Sequence, residues 1–267
     1  MSENYFAGVD VGASATKAVV IDSECQILGH SVKRTTTNLG KLAEDALQEA
    51  LDSANISRDL IKYIVATGYG RENVEFANEM RTEISCHSKG GRYAYKDKNQ
   101  PMAVIDIGGQ DNKVIKLDKD GKIINFKMNR KCAAGTGAFL EEIAFKLDIS
   151  PNYLDELARG ATKDIVLGSF CTVFTSTEIL EKIKEGESKE NMVKGAFISV
   201  VKRIAEMETL DGAVILTGGV ISHNPLIGEI LEKQLNVKVH IPENAQFAGA
   251  FGAALYAKER FAEHSRE

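Results

Sequence analysis

Short apolar runs that end in glycine alternate along this chain with segments in which apolar residues recur at helical spacing. Two stretches open in the same way, with a strand, a glycine turn and two further strands. The strands predicted in the first stretch are residues 5–11, 16–22, 26–34 and 63–67. Those predicted after Pro101 are residues 102–107, 112–117, 122–128, 213–217 and 237–241. The repeated order indicates a degenerate internal duplication.

Segments of helical period lie between and after these strands. The predicted helices are residues 40–54, 137–147, 151–159, 175–184, 189–208 and 247–262. Strands that alternate with helices favour an α/β architecture. A charged segment near residues 96–100, closed by Pro101, is typical of a boundary between domains. We therefore expect one half over residues 1–100 together with 247–267, and a second half over residues 101–246.

Composition narrows the class of protein. The 267 residues carry a formal net charge of −5, and 43% of them are hydrophobic, which is ordinary globular usage. The acidic balance gives no sign of nucleic-acid binding, and no apolar run is long enough to span a bilayer. With no signal peptide at the start, we expect a cytoplasmic protein that binds neither nucleic acid nor a membrane. The four cysteines form no C-x-x-C pair, and a cytoplasmic chain keeps them reduced.

Three glycine-rich turns, each at the end of an apolar strand, carry the candidate chemistry. They are residues 8–17, 104–111 and 214–220. Glycine lets backbone N–H groups crowd around a phosphate, because no side chain stands in the way. Asp10 and Asp106 stand beside the first two turns, where a carboxylate can hold Mg²⁺ through water; the alternative is that each aspartate only forms the turn. Two such turns suggest a clamp that grips a polyphosphate from both sides.

The three turns, in this order, resemble the ATPase superfamily of actin, hexokinase and the heat-shock chaperones. In that superfamily two phosphate loops clasp the nucleotide phosphates, and a late Gly-Gly turn supports the adenosine. The resemblance covers nearly the whole chain. It implies an actin-like ATPase fold, with two duplicated halves of βββαβα type and a nucleotide cleft between them.

The resemblance assigns a role to each residue of the turns. Asp10 and Asp106 would hold Mg²⁺ at ATP or ADP, one in each half. The phosphate donors of the first turn would be Gly12, Ala13, Ser14, Ala15, Thr16 and Lys17. Gly108 and Gly109 would do the same in the second turn, where Gln110 would orient the attacking water, as a polar amide does in other NTPases. Gly218 and Gly219 would let the backbone approach the adenosine.

The sequences around two of the cysteines indicate a narrower family than the glycine turns do. The stretches at residues 131–137 (KCAAGTG) and 169–174 (SFCTVF) are similar to the activator component of 2-hydroxyacyl-CoA dehydratases and to the ATPase subunits of benzoyl-CoA reductases. Actin-like kinases and chaperones lack these cysteines. The resemblance implies a homodimer that holds one 4Fe–4S cluster, with Cys132 and Cys171 of each chain as ligands. It also implies ATP-driven electron transfer from a ferredoxin or flavodoxin to a two-subunit 2-hydroxyacyl-CoA dehydratase.

Residue chemistry alone leaves other roles open for the cysteines. A cubane cluster takes four thiolates, and two from each chain of a symmetric dimer meet that number. Cys132 and Cys171 each precede a predicted helix, whose first N–H groups favour a thiolate. Buried core cysteines and a Cys₄ zinc site fit the same residues. Cys25, at a hairpin tip, reads as a surface thiol, and for Cys86 a structural or loop role is favoured over a metal pair with His87.

Other functions of this fold compete with electron transfer. A sugar or acetate kinase needs an acceptor site, and no motif for one is present. A filament-forming or regulatory module would not require Cys132 or Cys171. Glu141, Glu142 and Glu178 lie on predicted helices near the cysteines and are read as solvated or interface charges. A dehydratase activator, an ATPase subunit of benzoyl-CoA reductase and an activator of a double-cubane-cluster reductase fit the same motifs.

Overall fold

A computed structural model describes residues 4–97, 99–130, 132–167 and 172–264. The chain divides into two compact units, Met1–Lys96 with Phe247–Glu267 and Asp97–Gln246. Each unit is built around a five-stranded sheet. Within the described ranges, no helix is both long enough and apolar enough to cross a membrane.

Strands and helices alternate along the chain, as the sequence predicts. The strands are β1 (Tyr5–Val11), β2 (Ala15–Ile21), β3 (Ile27–Arg34), β4 (Ile61–Thr67), β5 (Glu79–Met80), β6 (Met102–Ile107), β7 (Asn112–Leu117), β8 (Ile123–Asn129), β9 (Ala213–Thr217) and β10 (Lys238–His240). The α-helices are α1 (Leu39–Ala54), α2 (Glu83–Ala94), α3 (Gly137–Lys146), α4 (Leu154–Arg159), α5 (Thr172–Lys184), α6 (Lys189–Met207), α7 (Gly219–His223), α8 (Leu226–Leu235) and α9 (Ala248–His264).

The sheet of the first unit has the order β3-β2-β1-β4-β5 and packs against helices on both faces. Side chains alternate along β1, so that Val9 and Val11 pack with α1 whereas Phe6 packs with α9. Helix α1 begins after Asn38, whose side chain accepts a backbone N–H of the first turn, and it ends at Asn55 in the left-handed conformation. The apolar stripe of α1 therefore covers one face of the sheet.

The sheet of the second unit has the order β10-β9-β6-β7-β8. Ile105, Val114 and Leu216, from three neighbouring strands, pack with Phe139 of α3 and Phe197 of α6. The central strand β6 pairs antiparallel with β7 and parallel with β9. In the first unit, β1 has the same two kinds of neighbour, antiparallel β2 and parallel β4. The predicted duplication is therefore visible in the topology of both sheets.

The predicted strands and helices are all present, with bounds that differ by less than one helical turn. The prediction missed β5, α2, α7 and α8. The apolar residues of α8 have a helical spacing that the sequence shows (Leu226, Ile227, Ile230 and Leu231). Helix α2 has no such stripe, because its buried residues include serine, histidine and two glycines. Its burial must therefore have a different cause.

Glycines bring α2 against α9 more closely than side chains would allow. A Cβ atom built on Gly90 would overlap the carbonyl oxygen of Ala248, and one built on Gly252 would overlap the carbonyl oxygen of Cys86. Only glycine leaves room for this contact of backbone on backbone. The close crossing buries α2 in the first unit, although α2 offers little apolar surface.

We predict that Gly252→Val lowers the free energy of unfolding by about 3 kcal/mol, because overpacking at this crossing must displace backbone rather than a side chain. Urea unfolding followed by circular dichroism measures the loss. Gly219→Ala is the control, since a Cβ there would meet only Gln246 Nε2, at 3.7 Å. Equal stability of the two variants would show that α2 and α9 do not depend on close contact.

Candidate functional site

The first glycine turn joins β1 to β2 beside a buried ion pair. Asp10 is 3% exposed and lies opposite Lys17 in the β1–β2 register, with Lys17 Nζ 3.6 Å from Asp10 Oδ2. The N–H of Gly12 donates to the carbonyl of Ala15 at 3.2 Å. A Cβ on Gly12 would lie 2.8 Å from that carbonyl oxygen, so the turn closes tightly only with glycine.

The side chains of two threonines, Thr16 and Thr35, form hydrogen bonds at this turn. The hydroxyl of Thr35 donates to the carbonyl of Gly12 at 2.8 Å and is 3.1 Å from the hydroxyl of Thr16, which is fully buried. Ala13, at the tip, is exposed, and Ser14 is half-buried. All residues from Gly12 to Lys17 except Thr16 are therefore at least partly accessible. A direct phosphate contact of Thr16 stays a prediction, since its hydroxyl is engaged within the protein.

The second glycine turn is built on a more deeply buried charge cluster. Lys113 lies opposite Asp106 in the β6–β7 register, and its side chain is only 4% exposed. Its Nζ is 3.1 Å from Asp106 Oδ2 and 2.8 Å from Asp111 Oδ1. The N–H of Gly108 donates to the carbonyl of Asp111 at 2.9 Å, and a Cβ on Gly108 would lie 2.8 Å from Asp111 Oδ1. One lysine thus holds two carboxylates at this turn.

The parallel neighbour β9 completes the surroundings of Asp106. Thr217 lies opposite Asp106, and its hydroxyl is 3.3 Å from Asp106 Oδ1. Gly218 follows with φ +101°, and a Cβ there would lie 2.8 Å from the same Oδ1 atom. Both oxygens of the carboxylate therefore have partners, Thr217 on one and Lys113 on the other. Each oxygen keeps a lone pair for a further ligand, so Asp106 can still hold Mg²⁺ directly or through water.

The first unit repeats the positions of these residues, although no hydrogen bond joins Thr67 to Asp10 among the described residues. Thr67 lies opposite Asp10 at the end of β4, and Gly68 follows with φ +93° and its Cβ position 2.5 Å from Asp10 Oδ1. We call these residues the Asp–Lys–Thr–Gly sets. Their members are Asp10, Lys17, Thr67 and Gly68 in the first unit, and Asp106, Lys113, Thr217 and Gly218 in the second. Each set ends a central strand in a buried, charge-paired carboxylate beside a glycine turn.

Sequence reasoning missed Lys113, Asp111 and Gly68. The signal for Lys113 was present, because a lysine follows each aspartate by seven residues in both halves. The Thr-Gly pair at residues 67–68 likewise matches the pair at 217–218. Asp111 gave no such signal, since its role follows from the contact with Lys113 Nζ and not from its position in a repeat.

The remaining turn residues stay predictions for their assigned roles. Gln110 is exposed at the tip of the second turn. Gly219 begins α7, and its Cβ position is open apart from Gln246 at 3.7 Å. The N–H of Gly218 donates to the carbonyl of Ala245 at 2.9 Å, which fixes the third turn. The exposed position of Gln110 is compatible with orienting a water. The open space at Gly219 is compatible with a close approach of adenosine.

The start of α3 is hydrogen-bonded to the second glycine turn. The N–H of Gly137 donates to the carbonyl of Gly108 at 2.9 Å, and the N–H of Ala138 donates to that of Gly109 at 2.8 Å. The helix begins at Gly137, so Cys132 precedes it by a further turn of chain. These two N–H groups are bound to carbonyls and are not free to point at the thiol. We expected the first N–H groups of this helix to stabilise a Cys132 thiolate. The N–H groups of Gly137 and Ala138 instead bind the second glycine turn.

Cys132 is a free, half-buried thiol, and Cys171 lies outside the described residues. Within the described ranges, no group of three or more histidine, cysteine, aspartate or glutamate side chains could hold a metal ion. A 4Fe–4S cluster takes four thiolates. The described part of one chain therefore offers Cys132 as one donor and not a complete ligand set.

The two cysteines of the first unit have structural surroundings. Cys86 is fully buried in α2, and burial raises the pKa of its thiol to about 12, so the thiol is neutral near pH 7. Cys25 is half-buried, and Lys258 Nζ is 3.1 Å from its Sγ atom. Cys25 is therefore partly exposed in the turn between β2 and β3, as expected, and it also contacts α9.

Comparisons with known proteins agree on one family. The profile of the BadF/BadG/BcrA/BcrD ATPase family matches residues 7–257. An activator of lactoyl-CoA dehydratase from Anaerotignum propionicum is 39% identical over 258 residues, covering 96% of this chain and 98% of the relative. The (R)-2-hydroxyglutaryl-CoA dehydratase activating ATPase of Acidaminococcus fermentans is 36% identical over 262 residues, covering 97% and 98%. One of the subunits of the benzoyl-CoA reductase of Thauera aromatica is 31% identical over 266 residues, covering 95% and 93%.

Solved structures confirm the actin-like ATPase fold. The activator of the 2-hydroxyisocaproyl-CoA dehydratase from Clostridium difficile, with bound ADPNP, matches with a TM-score of 0.90 at 32% identity, covering 98% of this chain and 97% of that one. A ROK family glucokinase from Streptomyces griseus matches with a TM-score of 0.63 at 14% identity, covering 96% of this chain and all of that one. At that identity the likeness to a sugar kinase shows the fold alone.

The difference between the two lysines gives a prediction. Lys113→Met should lower the free energy of unfolding by about 3–5 kcal/mol, because it leaves the buried carboxylate of Asp106 without its counter-charge. Lys17→Met should cost less, about 1–3 kcal/mol, since Asp10 is also buried but its ion pair is longer and Lys17 is more exposed. Urea unfolding compares the two matched substitutions. A loss for Lys17→Met as large as that for Lys113→Met would contradict the assignment.

Proposed function

The chain belongs to the BadF/BadG/BcrA/BcrD ATPase family, and from that premise we propose that it is the ATP-hydrolysing activator of a 2-hydroxyacyl-CoA dehydratase. The observation that carries the proposal is the Asp–Lys–Thr–Gly set, built twice beside a glycine turn that a side chain would obstruct. The relatives named as dehydratase activators match nearly the whole chain, which supports the choice of partner.

In this proposal both sets bind Mg²⁺ and ATP through their glycine turns. Asp10 and Asp106 hold Mg²⁺ beside the phosphates, and a water can link each carboxylate to the metal. Lys17 is 16% exposed and can turn from Asp10 to a phosphate, whereas Lys113 is held by two carboxylates. The backbone N–H groups of the turns supply further donors to the phosphates.

The remaining predicted contacts complete the nucleotide site. Gln110 orients the attacking water from its exposed position, and Gly218 and Gly219 let the backbone approach the adenosine. The open space at Gly219 supports this assignment.

Cys132 and Cys171, with the same residues of a second copy, are proposed to hold a 4Fe–4S cluster in a homodimer. Cys132 fits as one thiolate donor, since it is free and only half-buried. Such a cluster supplies one-electron transfer at low potential. Two cysteines from each of two copies would give the four thiolates that such a cluster takes, which is why a homodimer is proposed.

The link between nucleotide and electron is proposed to run through α3. The carbonyls of Gly108 and Gly109 bind the first N–H groups of this helix, so a change at the second turn moves the segment that carries Cys132. Nucleotide state then controls whether an electron from a ferredoxin or flavodoxin passes to the dehydratase. ATP drives this only by binding one state more tightly than the other.

A second candidate is the ATPase component of a benzoyl-CoA reductase, which the match to the reductase of Thauera aromatica favours. The chemistry of this chain would be the same in both cases, and only the acceptor of the electron would differ. Activation of a double-cubane-cluster reductase is a further variant of that kind.

The two functional parts should be separable by substitution. Asp10→Asn should lower Mg²⁺-dependent ATPase activity by about 100-fold, because it weakens the charge that holds the metal beside the phosphates. It should leave the iron content of the protein purified without oxygen unchanged. Cys132→Ser should do the reverse, with iron lost and ATP binding retained.

Two control variants accompany Asp10→Asn and Cys132→Ser. Asp211→Asn removes an exposed partner of Lys116 and should leave ATPase activity intact. Cys25→Ser should leave iron unchanged. Full ATPase activity in Asp10→Asn would refute the role of the first turn, and full iron in Cys132→Ser would refute the cluster ligand.

A further inference from the structure

A buried asparagine joins the second glycine turn to the segment that carries Cys132. Asn112 follows the turn directly as the first residue of β7 and is fully buried. Its side-chain Nδ2 donates to the carbonyl of Gly135 at 2.8 Å. We call residues 132–136 the Cys132 loop. Asn112 therefore contacts this loop while its backbone is continuous with the phosphate turn.

A second asparagine holds the other end of the loop. Asn129 lies opposite Asn112 in the β7–β8 register, and its Nδ2 donates to the carbonyl of Cys132 at 3.1 Å. Two amides on neighbouring strands thus bind the first and the fourth residues of the loop. The path of the loop is set by the sheet that also carries the glycine turn.

Burial of the Asn112 side chain carries an energetic cost. Its Oδ1 atom is buried without a hydrogen-bond partner in the part of the chain that the structure describes. A buried polar atom without a partner is unfavourable, and an apolar side chain of similar shape would avoid that penalty. The bond from Nδ2 to the carbonyl of Gly135 offsets this cost.

The loop has little freedom around that bond. Gly135 has φ +78°, and a Cβ there would lie 3.1 Å from Arg203 and 3.2 Å from Asn112 Nδ2. The next residue of β7 after Asn112 is Lys113, which binds both carboxylates of the turn. A displacement of the turn therefore moves Asn112, and the loop must follow.

We propose that Asn112 is a positioning residue that transmits the state of the second glycine turn to the Cys132 loop, in addition to the backbone bonds from Gly108 and Gly109 to α3. The inference rests on the proposed function, because it takes the turn as a nucleotide site. Asn112 touches neither the phosphates nor the metal in this account. It acts through Gly135, and its effect is on where the Cys132 loop lies in each nucleotide state.

Amide hydrogen exchange of the Cys132 loop, residues 132–136, tests the proposal on the full chain purified without oxygen. In the unsubstituted protein, we expect exchange with a non-hydrolysable ATP analogue to differ about tenfold from exchange with ADP, the effect of about one hydrogen bond. Asn112→Leu keeps the buried volume and removes the donor, so the difference should fall below about twofold. Its affinity for ADP should stay within about twofold, which a general loss of structure would not allow.

A control at Asn125 and a second variant at Asn112 separate the role of Asn112 from a general effect on the protein. Asn125→Leu removes an exposed amide of β8 that bonds to Glu208, and it should keep the nucleotide difference. Asn112→Ser is the second variant if leucine prevents folding, since its hydroxyl is too short to reach Gly135. Unchanged nucleotide dependence in the Asn112 variants, or equal exchange in the unsubstituted protein with both nucleotides bound, would overturn the proposal. An unsubstituted protein that binds neither nucleotide would instead overturn the proposed function.

Discussion

A buried carboxylate that is held by a lysine on the adjacent strand is the interaction on which the rest of this structure depends. A carboxylate at 3–4% exposure is tolerated only with a counter-charge and further hydrogen bonds. The antiparallel register places Lys17 opposite Asp10 and Lys113 opposite Asp106. The parallel neighbour adds a threonine and then a glycine, since any Cβ there would strike the carboxylate. Glycine is therefore needed at residues 68 and 218, because a side chain there would overlap the buried carboxylate.

The two pairs are not equivalent, and the difference suits different tasks. Lys17 is 3.6 Å from Asp10 and partly exposed, so a phosphate can compete for it at modest cost. Lys113 binds two carboxylates within a nearly inaccessible environment, so it stays in place. A turn with a movable lysine is suited to grip a ligand. A turn with a fixed lysine is suited to transmit a displacement to the helix and loop that are bonded to it.

Much of this arrangement could be predicted from the sequence, because strands that end in Asp-x-Gly and helices with an apolar stripe have local signals. The paired turns and Lys17 were predicted in this way, whereas Cys132 was predicted from the resemblance of residues 131–137 to a known family. Helix α2 was missed since its burial depends on Gly90 and Gly252 meeting another helix far along the chain. Asn112 was missed for a similar reason: a bond to Gly135 joins two segments whose proximity only the fold creates. Interactions between distant segments leave no periodicity in the sequence.

Nucleotide control of the Cys132 segment is the central claim, and the release of iron from the reduced protein tests it most directly. An external chelator is added to the protein with saturating ADP, and separately with a saturating non-hydrolysable ATP analogue. The account predicts clearly different rates of iron removal in the two states, because the bonds from the second turn to α3 and the Cys132 loop change with the nucleotide. Equal rates, with both nucleotides shown to be bound, would contradict it.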